Sequence, residues 1–218
     1  MPTVVLDFDS TLVACESLEV ILAPRLAGQP DLAARVAEIT NAGMAGKMPF
    51  RESLHQRLAL ASPRLREVRA FADSAHERLT PGMEGLVASL VRRGVAVWIV
   101  SGAFREAMLP LARRLAIPEE RVLGTRMRWS EQGELLGPDP TDPFAISKVD
   151  GVRALDPNWP KPRIGAGDGM SDYALAEAGL VDCFLAFTAV ARRPEVVATG
   201  APEARDCRAL QRLIEERL

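Results

Sequence analysis

Residues 3–7, Thr-Val-Val-Leu-Asp, form a short β-branched and apolar run that ends in a charge cluster, the pattern of a buried strand. Residues 14–79 have another texture: Leu, Ala, Arg and Glu recur at helical spacing with little strand signal. One helix starts at Ser17–Leu22, a second covers Pro30 to Thr40, and a third covers Pro49 to Ala59. Ser62-Pro63 reads as the cap and first turn of a fourth helix. Thr80-Pro81-Gly82 is a turn that closes this helical block.

Strand and helix alternate from there on. Met83 to Arg93 reads as a helix closed by Gly94, Val95 to Val100 as a fully buried strand, and Phe104 to Leu115 as a helix. Short extended pieces follow around Gly124 and Gly133 within 121–136. Phe144–Leu155 and Met170–Ala178 read as helices, Arg163–Ala166 and Cys183–Phe187 as strands, and Arg205–Arg217 as a closing helix. Repeated strand–helix units predict an α/β fold: a Rossmann-like parallel sheet with helices on both faces. The helical block falls between the first strand and the second unit. It is therefore expected as an inserted helical cap domain (14–79) within a core made of 1–13 and 80–218.

Composition narrows the function classes. The 218 residues are 48% apolar and 26% charged, ordinary for a folded globular chain. A net charge of −2 argues against a nucleic-acid surface. No apolar run nears the ~18 residues of a membrane span, and Met1-Pro2-Thr3 does not open a secretory signal. Three well-separated cysteines (Cys15, Cys183, Cys207) fit reduced thiols of a cytoplasmic protein. All but three of the 27 basic residues are Arg, so Lys47, Lys148 and Lys161 stand out.

In an open α/β sheet, ligands bind beyond the carboxyl ends of the strands. Asp7-Phe8-Asp9-Ser10-Thr11 follows the first strand, Ser101-Gly102-Ala103 the second, and Gly167-Asp168-Gly169-Met170-Ser171-Asp172 another. Carboxylates gathered at one rim repel each other unless a cation joins them, and oxygen donors favour Mg2+. Small hydroxyls and glycine-rich helix starts beside such an ion suit a phosphate. Asp7 and Asp9 offer one carboxylate to attack phosphorus and another to manage protons, provided a turn redirects Asp9.

These stretches, in order and with Lys148, resemble the four motifs of the haloacid-dehalogenase-like superfamily. Within it the chain is most similar to the phosphoserine phosphatases. Asp7 to Glu16, Gly43-Met44-Ala45-Gly46-Lys47 with Phe50 and Arg57, Thr80-Pro81-Gly82, and Phe187 to Val197 with its Arg-Arg-x-x-Val pattern carry that similarity. The resemblance implies catalytic roles for Asp7 (nucleophile), Asp9 (acid, then base), Ser101 and Lys148. It implies Mg2+ held by Asp7, Asp168 and the main-chain carbonyl of Asp9, with Asp172 nearby on a water or orienting Lys148. Ser101, Gly102 and Lys148 would grip the phosphoryl oxygens, and Thr11 would brace the first loop through its hydroxyl. Glu16 and Arg57 would select the ammonium and carboxylate of an amino-acid phosphate, with Met44 and Phe50 as an apolar wall and Ser171 beside the substrate.

The expected partner is a small phosphorylated metabolite, phosphoserine first, without nucleic acid or membrane, bound by a monomer or homodimer. Ala103, Ser147, Ser171 and Thr188-Ala189 depart from the usual pattern of that group. They keep phosphothreonine, phosphohomoserine, a sugar phosphate and phosphoryl transfer to an alcohol as alternatives. His55 and His76 read as surface residues, Asp139 and Asp142 as turn residues, and Cys15 as unreactive.

Overall fold

The computed structural model describes residues 1–218. The strands are β1 (Thr3–Leu6), β2 (Ala96–Phe104), β3 (Val122–Thr125), β4 (Met127–Trp129), β5 (Leu135–Pro138), β6 (Arg163–Gly167), β7 (Cys183–Phe187) and β8 (Glu203–Ala204). The helices are α1 (Ser17–Leu26), α2 (Pro30–Met44), α3 (Phe50–Leu60), α4 (Leu65–Ser74), α5 (Met83–Arg92), α6 (Arg105–Arg114), α7 (Lys148–Leu155), α8 (Met170–Glu177), α9 (Pro194–Val197) and α10 (Cys207–Glu215). Six strands form one sheet in the order β3-β2-β1-β6-β7-β8, every pair parallel. β4 and β5 form a separate antiparallel hairpin.

The central strand is apolar on both faces because both faces are covered. Val4 and Leu6 point into the larger core with Val97 and Ile99, against Met83, Leu86 and Leu90 of α5 and Leu210 and Ile214 of α10. Val5 points the other way, into a smaller cluster with Val100, Val152 of α7 and Leu175 of α8. This alternation is the period of two of a strand, with apolar residues at Val4, Val5 and Leu6.

The helices α1 to α4 join the larger core through Leu18, Ile21, Val36, Leu54, Val68 and Phe71. The chain leaves and re-enters the sheet region at one place. Val13 pairs with Leu79 as an isolated antiparallel bridge, and Thr80 N donates to Leu12 O at 2.9 Å.

Several elements differ from the sequence expectation. Ser62-Pro63 stays outside the fourth helix; Arg64 is its N-cap, and Glu67 accepts from Arg64 N at 2.7 Å. That carboxylate does the capping that was expected of Ser62. β2 runs on to Phe104, with a register shift against β3 between Val100 and Phe104. Helix α7 starts at Lys148, since Ser147 caps it by accepting from Asp150 N at 3.0 Å; a separate turn, Pro143–Ala145, precedes it. The short α9 and β8 are too brief to leave a periodic signal. Asp142 is buried and fixes its turn by accepting from Arg126 N at 2.6 Å and Phe144 N at 3.2 Å.

Candidate active site

The strand ends deliver the site. Leu6 is level with Ile99 of β2 and Ala166 of β6, so the residues that follow emerge on one rim. Asp7 N donates to Ala166 O at 3.0 Å, and the chain then turns sharply through Phe8–Leu12. Asp9 is extended (ψ 139°) and Ser10 is left-handed (φ 49°), which swings Asp9 out of the strand direction. Its carboxylate accepts from Ser17 N at 2.9 Å and from Ser17 Oγ at 3.0 Å, at the start of α1. The loop is braced through the carbonyl of Thr11, which accepts from Thr80 Oγ1 at 2.7 Å. The Thr11 hydroxyl itself is buried without a partner, contrary to the expected brace.

Asp7, Asp168 and Asp172 bring one carboxylate oxygen each within 4.8 Å of one another, all three buried. Asp9 does not join them with its side chain, which leaves only its main-chain carbonyl for the expected cation contact. Lys148 Nζ lies 2.7 Å from Asp7 Oδ1 and 2.5 Å from Asp172 Oδ1. Asp172 also accepts from Gly169 N at 3.1 Å. Gly167 makes this approach possible: a Cβ there would sit 2.2 Å from Asp172 Cγ.

Electrostatics follow from this crowding. Burial, then Glu16 and Asp7, push the Asp9 carboxyl well above the usual carboxylate range. Burial, then Asp7, raise Asp168 likewise. Asp172 is pushed up to about 7 by burial and Asp7, with Lys148 pulling the other way. Burial opposes the Lys148 ammonium, but Asp172 and Asp7 outweigh it and hold it above the ordinary lysine value. Asp168 Oδ1 is buried with no hydrogen-bond partner. An orphaned oxygen within an all-oxygen cluster of three carboxylates fits a hard divalent cation such as Mg2+.

A cavity of about 100 Å³ opens from this cluster toward the helical block. Asp7, Asp9, Ser101, Gly102 and Lys148 line one end; Glu16, Met44, Phe50 and Arg57 line the side formed by α1 to α3; Ser171 and Ala103 are also among its lining. Ser101 and Gly102 sit in the irregular end of β2, where Thr125 Oγ1 donates to Gly102 O at 3.0 Å. Phe50 lies flush on Gly102, since a Cβ there would be 2.4 Å from the ring. Met44 packs likewise against Gly169. Arg57 is buried, bonded to Ser53 O and Thr40 Oγ1, and burial lowers its pKa. Cys15, pushed up to about 12 by burial and then Asp9, holds a protonated thiol.

Arg193 was not singled out from the sequence. Its guanidinium reaches Asp168 Oδ2 at 2.8 Å, Glu16 Oε1 at 3.1 Å and Asn41 Oδ1 at 3.1 Å. Glu16 Oε1 also accepts from Ser10 Oγ at 2.8 Å. One arginine thus ties the carboxylate cluster to α2 and to the residue before α1. Its only sequence signal is the Arg-Arg-x-x-Val pattern, which is weak in an arginine-rich chain. Beside it, Lys47 pairs with Glu195 at 2.7 Å.

Comparison with known proteins gives the family. Residues 4–177 match the family described as haloacid dehalogenase-like hydrolase. The chain is 33% identical over 197 residues to the chloroplastic phosphoserine phosphatase of Arabidopsis thaliana, covering 89% of this chain and 65% of that one. It is 33% identical over 184 residues to the phosphoserine phosphatase of Homo sapiens, covering 83% of this chain and 79% of that one. Among solved structures, a phosphoserine phosphohydrolase-like protein from Francisella tularensis superposes with a TM-score of 0.95 at 34% identity, over 98% of this chain and 100% of that one. With its sheet, its ordered motifs and relatives of this kind, the chain belongs to the haloacid dehalogenase-like hydrolases, on the branch of the phosphoserine phosphatases.

Proposed function

We propose that the protein hydrolyses O-phospho-L-serine to L-serine and phosphate, with Mg2+ and through a phosphoryl group carried on Asp7. One observation carries this. A single cavity joins Asp7, Ser101, Gly102 and Lys148, the groups that would take a phosphate, to a far side with Glu16 and a buried Arg57 that no carboxylate pairs. Such a far side suits a ligand bearing an ammonium and a carboxylate.

The steps follow from the residues. An Asp7 oxygen attacks phosphorus, and the bond from phosphorus to the serine oxygen breaks. Asp9 gives its proton to that oxygen, which requires the protonated form that its burial favours. Asp9 then takes a proton from a water that attacks phosphorus, releasing phosphate and restoring Asp7. Lys148, Ser101 Oγ and Gly102 N–H hold the phosphoryl oxygens as charge spreads over them, and Asp172 keeps Lys148 in place. Asp7, Asp168 and Asp172, with the Asp9 carbonyl, would hold Mg2+, which supplies positive charge against those oxygens.

Residues 14–79 act as the cap that covers the substrate, on a core of 1–13 and 80–218. The three free cysteines suit a reducing compartment such as the cytosol. The test is phosphate release from O-phospho-L-serine with Mg2+ and with EDTA, beside phosphothreonine and p-nitrophenyl phosphate. Release should need Mg2+, favour phosphoserine, and fall about 10³-fold or more in Asp7→Asn. Turnover of the aryl ester alone would move the substrate elsewhere, and an unimpaired Asp7→Asn would remove the covalent step.

A further inference from the structure

Arg57 carries five N–H donors, and an arginine fork recognises a carboxylate only when its plane is fixed. A buried guanidinium is usually fixed by an acid. Here no acid does so, and the two partners are neutral: Arg57 Nε donates to Ser53 O at 3.2 Å, and Nη1 donates to Thr40 Oγ1 at 3.4 Å.

Thr40 is itself held. It is 2% exposed on α2, and its hydroxyl donates its one proton to Val36 O at 3.1 Å. With that proton committed, the oxygen facing Arg57 can only accept, so it matches a guanidinium N–H and nothing else nearby. The two helices are stitched together at this point. Ser53 Oγ donates to Ile39 O at 3.2 Å, and a Cβ on Gly43 would lie 2.8 Å from Ser53 Oγ. The register of α2 against α3 is therefore fixed where Thr40 meets Arg57. Both residues line the cavity. Glu16, Asp9 and Glu19 act on the guanidinium only from a distance, so no acid occupies its N–H groups and the aim of the fork is already set by neutral partners.

We infer that Thr40 is a positioning residue that sets the plane of Arg57 and thereby the selectivity for phosphate esters that carry a carboxylate. This rests on the proposed role of Arg57. It adds that the selectivity is built into α2 through a hydroxyl whose proton is already spent.

The experiment uses the full chain with Asp7→Asn, so that ligands bind without turnover, in the presence of Mg2+. Calorimetry gives Kd for O-phospho-L-serine and for phosphoethanolamine, which keeps the phosphate and ammonium but lacks the carboxylate. Thr40→Val keeps the shape and removes the acceptor. It should weaken phosphoserine about tenfold, the order expected for one lost hydrogen bond to a charged group, while phosphoethanolamine shifts no more than about twofold. Thr40→Ser restores the acceptor and should restore phosphoserine binding. Equal weakening of both ligands would make Thr40 a packing residue and overturn the inference, as would no weakening of either. If the Thr40 protein binds both ligands equally, the carboxylate role of Arg57 fails first, and the inference with it.

Discussion

Arg193 is held on three sides, by Asp168, Glu16 and Asn41. Asp168 and Glu16 are both raised by burial, and Arg193 is a cation that lowers both. Its side chain is 11% exposed, against 0% for Asp168 and 17% for Glu16, so the contacts are poorly screened. Replacing it with Gln removes the charge and leaves the buried Asp168 and the half-buried Glu16 without the cation they share. Breaking such a pair costs up to about 3–5 kcal/mol when fully buried, and less here because Glu16 is partly open. Arg193→Gln should therefore melt several degrees lower without divalent ions. Added Mg2+ should raise its Tm more than it raises that of the parent, because a cation then replaces the missing charge. Thermal melts with EDTA and with Mg2+ would show this. Equal Mg2+ shifts in the two proteins would mean that Arg193 does not share the load on these carboxylates.

At the scale of elements, the hairpin β4–β5 is fastened to α6 by a single polar contact: Trp129 Nε1 donates to Glu106 Oε1 at 2.8 Å. Burial raises the Glu106 pKa, while the Trp129 hydrogen bond pulls it down. A folded pKa above the unfolded one favours the folded state below the unfolded pKa and loses that advantage as pH rises through the folded value. Ionised Glu106 is thus a cost at neutral pH. Glu106→Gln keeps the acceptor and drops the charge. Its Tm should exceed that of the parent at pH 7 to 8, and the gap should close toward about pH 4. A Tm difference that does not change with pH would refute the burial cost.

At the scale of the molecule, the helical block meets the rest in two ways. Its α4 side is bound by packing and main chain: Phe71 lies edge-on to Phe8 at 6.4 Å, Leu65 N donates to Gly133 O at 2.9 Å, and Arg64 pairs with Glu134. Its α2–α3 side meets the strand ends through Lys47–Glu195, Asn41–Arg193 and the apposition of Phe50 to Gly102. An exposed ion pair contributes only about 0–1 kcal/mol, so this side opens first. Amide exchange should be faster in α2 and α3 than in α4, and phosphoserine with Mg2+ should slow it in α2 and α3 selectively. Uniform protection of all four helices would mean that the block moves as one piece or not at all.

The pattern of apolar positions determined the parallel sheet and the place of the helical block, because a strand buried on both faces and an amphipathic helix each leave their own period. Ordered motifs on strand ends determined that Asp7, Ser101 and Asp168 would meet, because level parallel strands put their ends on one rim, whereas Lys148, at the start of α7, was placed there only by the family resemblance. Tertiary structure decided what periodicity does not encode. The left-handed Ser10 turns Asp9 away from the cluster onto Ser17. The pairing of β2 with β3 carries that strand past Ser101. Arg193, far along the chain, closes onto Asp168, Glu16 and Asn41, and Thr40 holds Arg57. These contacts join residues distant in sequence or depend on a single rotamer, so they exist only once the chain has packed.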